Sequence, residues 1–198
     1  MMRNTHLSMG VASAIAVTQP NNVSECLVAI MGGVIGGLIC DIDILDNNYK
    51  NGKLSEKLIA VKITAVILIF DFLFKMGICE AVFSRDRRFL GTGGILFGLL
   101  CLFGIRSAHR TFTHSITGML LFALAFWFIY PPIVYGFMAG FLSHIILDLL
   151  NKRKITLFYP KKFRLCFGIC YADGIANKVL MYIGIVLSVL LMINSLFF

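Results

Sequence analysis

Charge is what this chain has least of. Only 14% of its 198 residues are Asp, Glu, Lys or Arg, while 59% are apolar and the mean hydropathy is +0.87. A soluble domain carries about a quarter of its residues charged, so a water-soluble globule is excluded and a polytopic membrane protein is indicated. One domain, residues 1–198, suffices for the length. The six cysteines (Cys26, Cys40, Cys79, Cys101, Cys166 and Cys170) form no C-x-x-C pair, which removes a disulfide framework. The first four lie in or beside apolar runs and read as small hydrophobes. Cys166 and Cys170 could be ligands or a redox pair, but too few other ligands stand near them, and packing is the preferred reading. There is no internal repeat. No nucleic-acid-binding module accompanies the net charge of +8, so no nucleic-acid partner is expected; the excess reads as cytoplasmic loops and contact with anionic lipid.

What is there is a succession of apolar runs: Leu7–Val17, Val23–Cys40, Leu58–Phe83, Phe89–Ile105, a run reaching Tyr130, Ile133–Leu150 and Gly174–Phe198. The first and fourth are shorter than the roughly 20 residues of a full span. Arg3, Leu7–Val17 and Ala12-Ser13-Ala14 resemble a short signal peptide, but a retained first helix fits better. The expected fold is therefore all-α, a polytopic membrane helical bundle of about six to seven helices, some short or re-entrant. Gly32, Gly33, Gly36 and Gly37 have the spacing that lets helices approach closely; a phosphate loop would need strand context that is absent. Asp71 and Lys75, one turn apart, can pair with each other, the alternative being that Lys75 snorkels to the far end of its run. Thr113 is expected to cap the helix carrying His114 in its first turn, and Pro131-Pro132 to break it. Ile44–Lys57 and the basic Asn151–Asp173 read as loops.

The four histidines sit at the ends of these runs: His6, His109, His114 and His144. Carboxylates stand at matching depth, with Asp41 and Asp43 closing the second run and Asp148 one turn beyond His144. Threading the runs alternately across a bilayer brings all of them to one side. On that threading Lys75, Arg85, Arg87 and Arg88 are the cations of the opposite half, so the positive-inside rule places the histidine side in the cytoplasm.

Imidazole is the commonest protein metal ligand. His6, Asp41, Asp43, His109, His114, His144 and Asp148 exceed the four ligands of one tetrahedral zinc and suit two ions sharing a bridge, as in phosphoester hydrolysis by attack of a metal-bound water. Mixed N/O ligation admits zinc, manganese or iron. Asp41 or Asp43 is the candidate general base. Arg110 is the expected phosphate contact, with Lys152, Arg153 and Lys154 as outer contacts.

The same residues carry a resemblance. His109-Arg110-x-Phe112-Thr113-His114-Ser115, then Gly140-Phe141-Leu142-Ser143-His144-x-x-x-Asp148, with His6, Asp41-x-Asp43 and Phe158-Tyr159-Pro160, resemble the YdjM family of inner-membrane-associated metal-dependent hydrolases. The chain departs from that pattern after Asp43, which is followed by Ile44-Leu45-Asp46, and after Asp148, which is followed by Leu149-Leu150-Asn151-Lys152. The family is more remotely similar to zinc-dependent phospholipase C, which implies phosphoester hydrolysis; from the number of ligands, two or three ions are expected. The expectation is thus a multi-pass inner-membrane enzyme cleaving a phospholipid or lipid-linked phosphate at its cytoplasmic face. The rivals are a metal transporter or metal sensor using the same cluster, with Asp71 and Lys75 on the pathway, and a structural membrane protein whose polar residues only decorate one face.

Overall fold

A computed structural model describes residues 2–43, 56–171 and 174–197. Their helices are α1 (Arg3–Thr18), α2 (Val23–Ile39), α3 (Glu56–Phe74), α4 (Ile78–Phe83), α5 (Arg87–Arg106), α6 (Ile116–Ile129), α7 (Val134–Leu150) and α8 (Ile175–Phe197). All seven apolar runs become helix, and the third divides into α3 and the six-residue α4. Among the described residues, four segments are long and apolar enough to cross a membrane: Val23–Asp43, Arg87–Arg106, Pro131–Leu150 and Ile175–Leu196. The expected loop at residues 44–55 lies outside the described residues. A two-residue antiparallel pair, β1 (Ile155–Thr156) with β2 (Arg164–Leu165), is built into the basic segment after α7.

Local chemistry sets the helix boundaries. Asn22 caps α2 by accepting from the Glu25 N–H at 2.8 Å, and the Glu25 carboxylate returns the contact to the Asn21 N–H at 2.9 Å, a reciprocal cap. Pro131-Pro132 end α6 as expected and open a 3₁₀ turn leading into α7. The cap of α6 is one correction: Ser115, not Thr113, accepts from the Gly118 N–H at 3.0 Å, and His114 precedes the helix in a 3₁₀ turn. Asp71 is another. Its two oxygens accept the N–H groups of Ile78 (2.8 Å) and Cys79 (2.7 Å), so it caps α4 rather than pairing with Lys75. Two orphan donors at a helix start attract a carboxylate more firmly than one flexible ammonium.

Small residues hold the centre together. A Cβ on Gly33 would lie 2.7 Å from the Gly10 carbonyl oxygen of α1, and a Cβ on Gly140 of α7 would lie 2.7 Å from that of Gly33. The neighbouring stripe of α2 meets α7 too, where a Cβ on Gly36 would run into the Phe137 carbonyl oxygen. Such backbone-to-backbone contact is how helices associate where lipid removes the usual hydrophobic drive. Gly10 faces Gly33 while His6 faces Gly37, so α1 and α2 are antiparallel. Gly32 meets Gly136 and Phe137, and Gly36 meets Phe137 and Phe141, so α2 and α7 are parallel. The start of α1 and the ends of α2 and α7 therefore share one end of the bundle. Phe122, Phe137 and Phe141 fill the core beneath it, all fully buried. Buried Asn177 pins α8 to α1 by accepting from the Thr5 hydroxyl at 2.8 Å.

Candidate metal centre

Four parts of the chain meet at that end. α1 supplies His6 in its first turn, and the 3₁₀ turn closing α2 (Cys40–Asp43) supplies Asp41 and Asp43. The loop between α5 and α6 supplies His109 and His114, and α7 supplies His144 and Asp148 on one face, four residues apart. All seven expected ligands come together in three overlapping groups: His6, His144 and Asp148; Asp41, His114 and His144; Asp43, His109 and His114. Within each group the candidate ligand atoms lie within 4.8 Å of one another.

Burial is the notable property of the cluster. His6, His114, His144 and Asp148 are at most 1% exposed. His6 Nε2 stands 3.5 Å from Asp148 Oδ1, and His114 Nε2 stands 3.5 Å from both Asp41 Oδ1 and Asp148 Oδ2. His144 Nε2 is 3.9 Å from Asp41 Oδ2 and from Asp148 Oδ2. The His6 and His144 rings stack with centroids 3.7 Å apart. These separations exceed hydrogen-bond length and leave room between the donors. His6 Nδ1, His114 Nε2 and His144 Nε2 are buried with no hydrogen-bond partner. An orphaned buried polar atom costs about 1–3 kcal/mol, and two of them, His114 Nε2 and His144 Nε2, facing the shared carboxylates of Asp41 and Asp148 suit a cation between them.

The surrounding bonds aim those nitrogens. His144 Nδ1 donates to the Gly37 carbonyl at 2.8 Å, which leaves Nε2 as the ligand atom. His114 Nδ1 donates to Thr113 Oγ1 at 3.2 Å, and that hydroxyl donates to Asp43 Oδ2 at 3.0 Å. Asp43 Oδ1 accepts from His109 Nδ1 at 2.7 Å. Asp43 thus ties the end of α2 to the histidine loop and orients two imidazoles. For His114, burial disfavours the charged ring, but the carboxylates of Asp148 and Asp41 outweigh it and push the pKa up to about 9.

The donor set of imidazoles and carboxylates fits a divalent cation of the zinc, manganese or iron type. His6, His144, Asp148, Asp41 and His114 would hold it most directly; His109, whose side chain is 38% exposed, lies outermost. Arg110 roofs the cluster. Its guanidinium is 3.4 Å from Asp148 Oδ2 and donates to the Arg153 carbonyl at 3.0 Å, while its backbone takes φ +66°. The outer basic residues stand elsewhere: Lys152 Nζ sits 3.7 Å above the Tyr171 ring, and Arg153 and Lys154 are exposed. Sequence reasoning missed Thr113 as a link and the Gly37 carbonyl as an orienting acceptor. The T-H step inside the histidine string was a signal for the first; the second had none, since any residue carries a carbonyl.

The "Uncharacterized protein YvsG" of Bacillus subtilis (strain 168) is 37% identical over 86 residues, covering 40% of this chain and 51% of that protein. The "Inner membrane protein YdjM" of Escherichia coli (strain K12), like that of Shigella flexneri, is 33% identical over 63 residues, covering 28% of this chain and 32% of that protein. The matched part of the chain thus spans about half or less of the length of these relatives. No solved structure matches the chain. The model of the family described as YdjM inner membrane protein matches residues 1–198 in full, and that description agrees with the apolar helices: the chain belongs to the YdjM family of inner membrane proteins.

Proposed function

We propose that this protein is a metal-dependent hydrolase that cleaves a phosphoester, carried by a phospholipid or lipid-linked phosphate, at the cytoplasmic face of the membrane. The observation that carries the reading is the pair of buried, unpartnered Nε2 atoms of His114 and His144 facing both Asp41 and Asp148, with His6 Nε2 beside Asp148. A divalent cation bound there supplies Lewis acidity toward a phosphoryl oxygen and lowers the pKa of water.

The chain's own groups do the rest. His6, His114, His144, Asp41 and Asp148 hold the charge in a dry site, where electrostatic stabilisation is strongest. Arg110, held by the Arg153 carbonyl, presents a planar fork suited to two phosphate oxygens. Asp41, partly open at 14% side-chain exposure, is the group placed to take a proton from water. Asp43 positions His109 and His114 through its two bonded oxygens. A lipid substrate suits a site at the end of membrane-crossing helices, because it reaches that depth by diffusing in the bilayer. The cytoplasmic orientation rests on the cations: Arg110, Lys152, Arg153, Lys154, Lys161, Lys162 and Arg164 lie at the site's end, against Lys75, Arg85, Arg87 and Arg88 at the other.

Transport or sensing of a metal has less support, since Asp71, the one acid deep in α3, is occupied capping α4. The test is metal content by mass spectrometry on detergent-purified protein beside a His109→Ala/His144→Ala variant, followed by detection of the alcohol and phosphomonoester formed from phospholipid and phosphodiester substrates, or of phosphate from a lipid-linked phosphomonoester. Bound metal lost in the variant, with turnover in the wild type only, is the expected result. A wild type that stays metal-free after incubation with zinc, manganese and iron overturns the reading.

A further inference from the structure

A cavity of about 660 Å3 lies beside the histidine loop, and none of the seven candidate metal ligands is in its wall. Its walls are the last turn of α5 (Phe103, Arg106), the loop residues Ala108 and Thr111, and the β1–β2 segment with Tyr159, Lys161, Lys162 and Arg164. Four cations converge on it, and no carboxylate is among the described residues that line it. Cations this close repel one another unless an anion sits between them, and a fixed concave cluster concentrates anions more than scattered surface charge does.

We propose that this cavity binds the headgroup of an anionic phospholipid of the surrounding bilayer, independently of the catalytic reading. Two observations select a lipid over a soluble phosphate. The flank of α5 that leads into the cavity is apolar and uncovered, with Leu99, Leu102 and Phe103 exposed. The cavity opens at the C-terminal end of that membrane-crossing helix, where a headgroup would lie when its acyl chains run along α5. The Phe103 and Phe112 rings meet edge to face at 4.8 Å, and Tyr159 meets both edge to face, which forms the apolar-to-polar wall a headgroup requires.

The cavity wall also supports the metal cluster. The Thr156 N–H donates to the Arg110 carbonyl at 3.0 Å, and Thr117 Oγ1 donates to the Tyr159 carbonyl at 2.7 Å. A lipid clamped by Lys161, Lys162 and Arg164 therefore braces the strand that holds the histidine loop.

Native mass spectrometry on full-length, delipidated protein tests the proposal, with phosphatidylglycerol, phosphatidylcholine and inorganic phosphate as probes. Wild type should retain phosphatidylglycerol at least ~10-fold better than phosphatidylcholine, and Lys161→Gln/Lys162→Gln/Arg164→Gln should lose that preference. The equally charge-depleted Lys152→Gln/Arg153→Gln/Lys154→Gln should keep it, and Lys161→Arg/Lys162→Arg should behave as wild type, which separates binding from misfolding. Equal losses in the two Gln variants would reduce the effect to general surface charge and overturn the site. Complete displacement of the lipid by millimolar inorganic phosphate would overturn the lipid as its ligand.

Discussion

His144 Nδ1 donates to the carbonyl oxygen of Gly37 at 2.8 Å, and that contact exists only because α1, α2 and α7 touch backbone to backbone. A Cβ at Gly37 would lie 2.7 Å from the His6 carbonyl oxygen, inside hard contact with backbone that cannot swing aside. Gly37→Ala should therefore push α1 off α2, cost about 1–3 kcal/mol of stability, and reduce metal affinity by at least ~10-fold through displaced His6 and His144. Metal titration of the purified variant checks this; wild-type affinity would show that the glycine is not a spacer for the site.

Thr113 joins His114 to Asp43 by its hydroxyl. Thr113→Val keeps the shape and removes both bonds, leaving a buried carboxylate oxygen and a buried imidazole N–H without a partner. The expected loss is about 1–3 kcal/mol in thermal stability and ~10–100-fold in metal affinity, with Thr113→Ser restoring most of both. If Val and Ser variants bind metal alike, the link does not orient His114.

Proton and metal compete for His114. In the metal-free protein its pKa is raised to about 9 from an ordinary value of 6.5, because Asp148 and Asp41 overcome the cost of burial. A raised folded pKa contributes stability that is complete below the unfolded value and fades as pH climbs through about 9. The metal-free protein should then lose thermal stability between pH 6.5 and 9, while metal affinity rises across the same interval as the proton is given up. Calorimetric titration in buffers of different ionisation enthalpy would count that proton; a release that stays at zero across the range contradicts the assignment.

A buried cluster with orphaned nitrogens is a liability until a cation fills it. Metal loading at ~1,000 times the dissociation constant should stabilise the fold by about 4 kcal/mol, read as a rise in melting temperature in detergent. Asp148→Asn, which removes a carboxylate shared by His6, His114 and His144, should abolish most of that rise. An undiminished rise in the variant would move the binding site elsewhere.

Asp71 offers a control of opposite character. Asp71→Asn weakens two short caps on α4 and should cost about 0.5–2 kcal/mol, yet leave metal content unchanged, because Asp71 touches none of the cluster. Metal loss in that variant would instead favour a path running through the bundle.

Much of this architecture was legible in the order of residues. The paucity of charge and the lengths of the runs dictated membrane-embedded helices, since a backbone in lipid must bond to itself. Alternating the runs across a bilayer put His6, Asp41, Asp43, His109, His114, His144 and Asp148 at one end, because a span of fixed length leaves only two ends for a polar group. The spacing of Gly32, Gly33, Gly36 and Gly37 announced close packing. What a linear reading could not decide is which neighbour each polar group would choose. Asp71 stood one turn from Lys75, but the chain turned back and offered two unbonded N–H groups. Ser115 took the cap expected of Thr113, which freed Thr113 to bridge His114 and Asp43. Lys152, read as an outer phosphate contact, lies over Tyr171, while Arg106, Lys161, Lys162 and Arg164 gathered around a cavity that no spacing foretold. Hydrophobic periodicity and span length are properties of one segment and can be read along it; hydrogen-bond partners are settled between segments, by a helix packing that brings Gly37 within reach of a histidine 107 residues away.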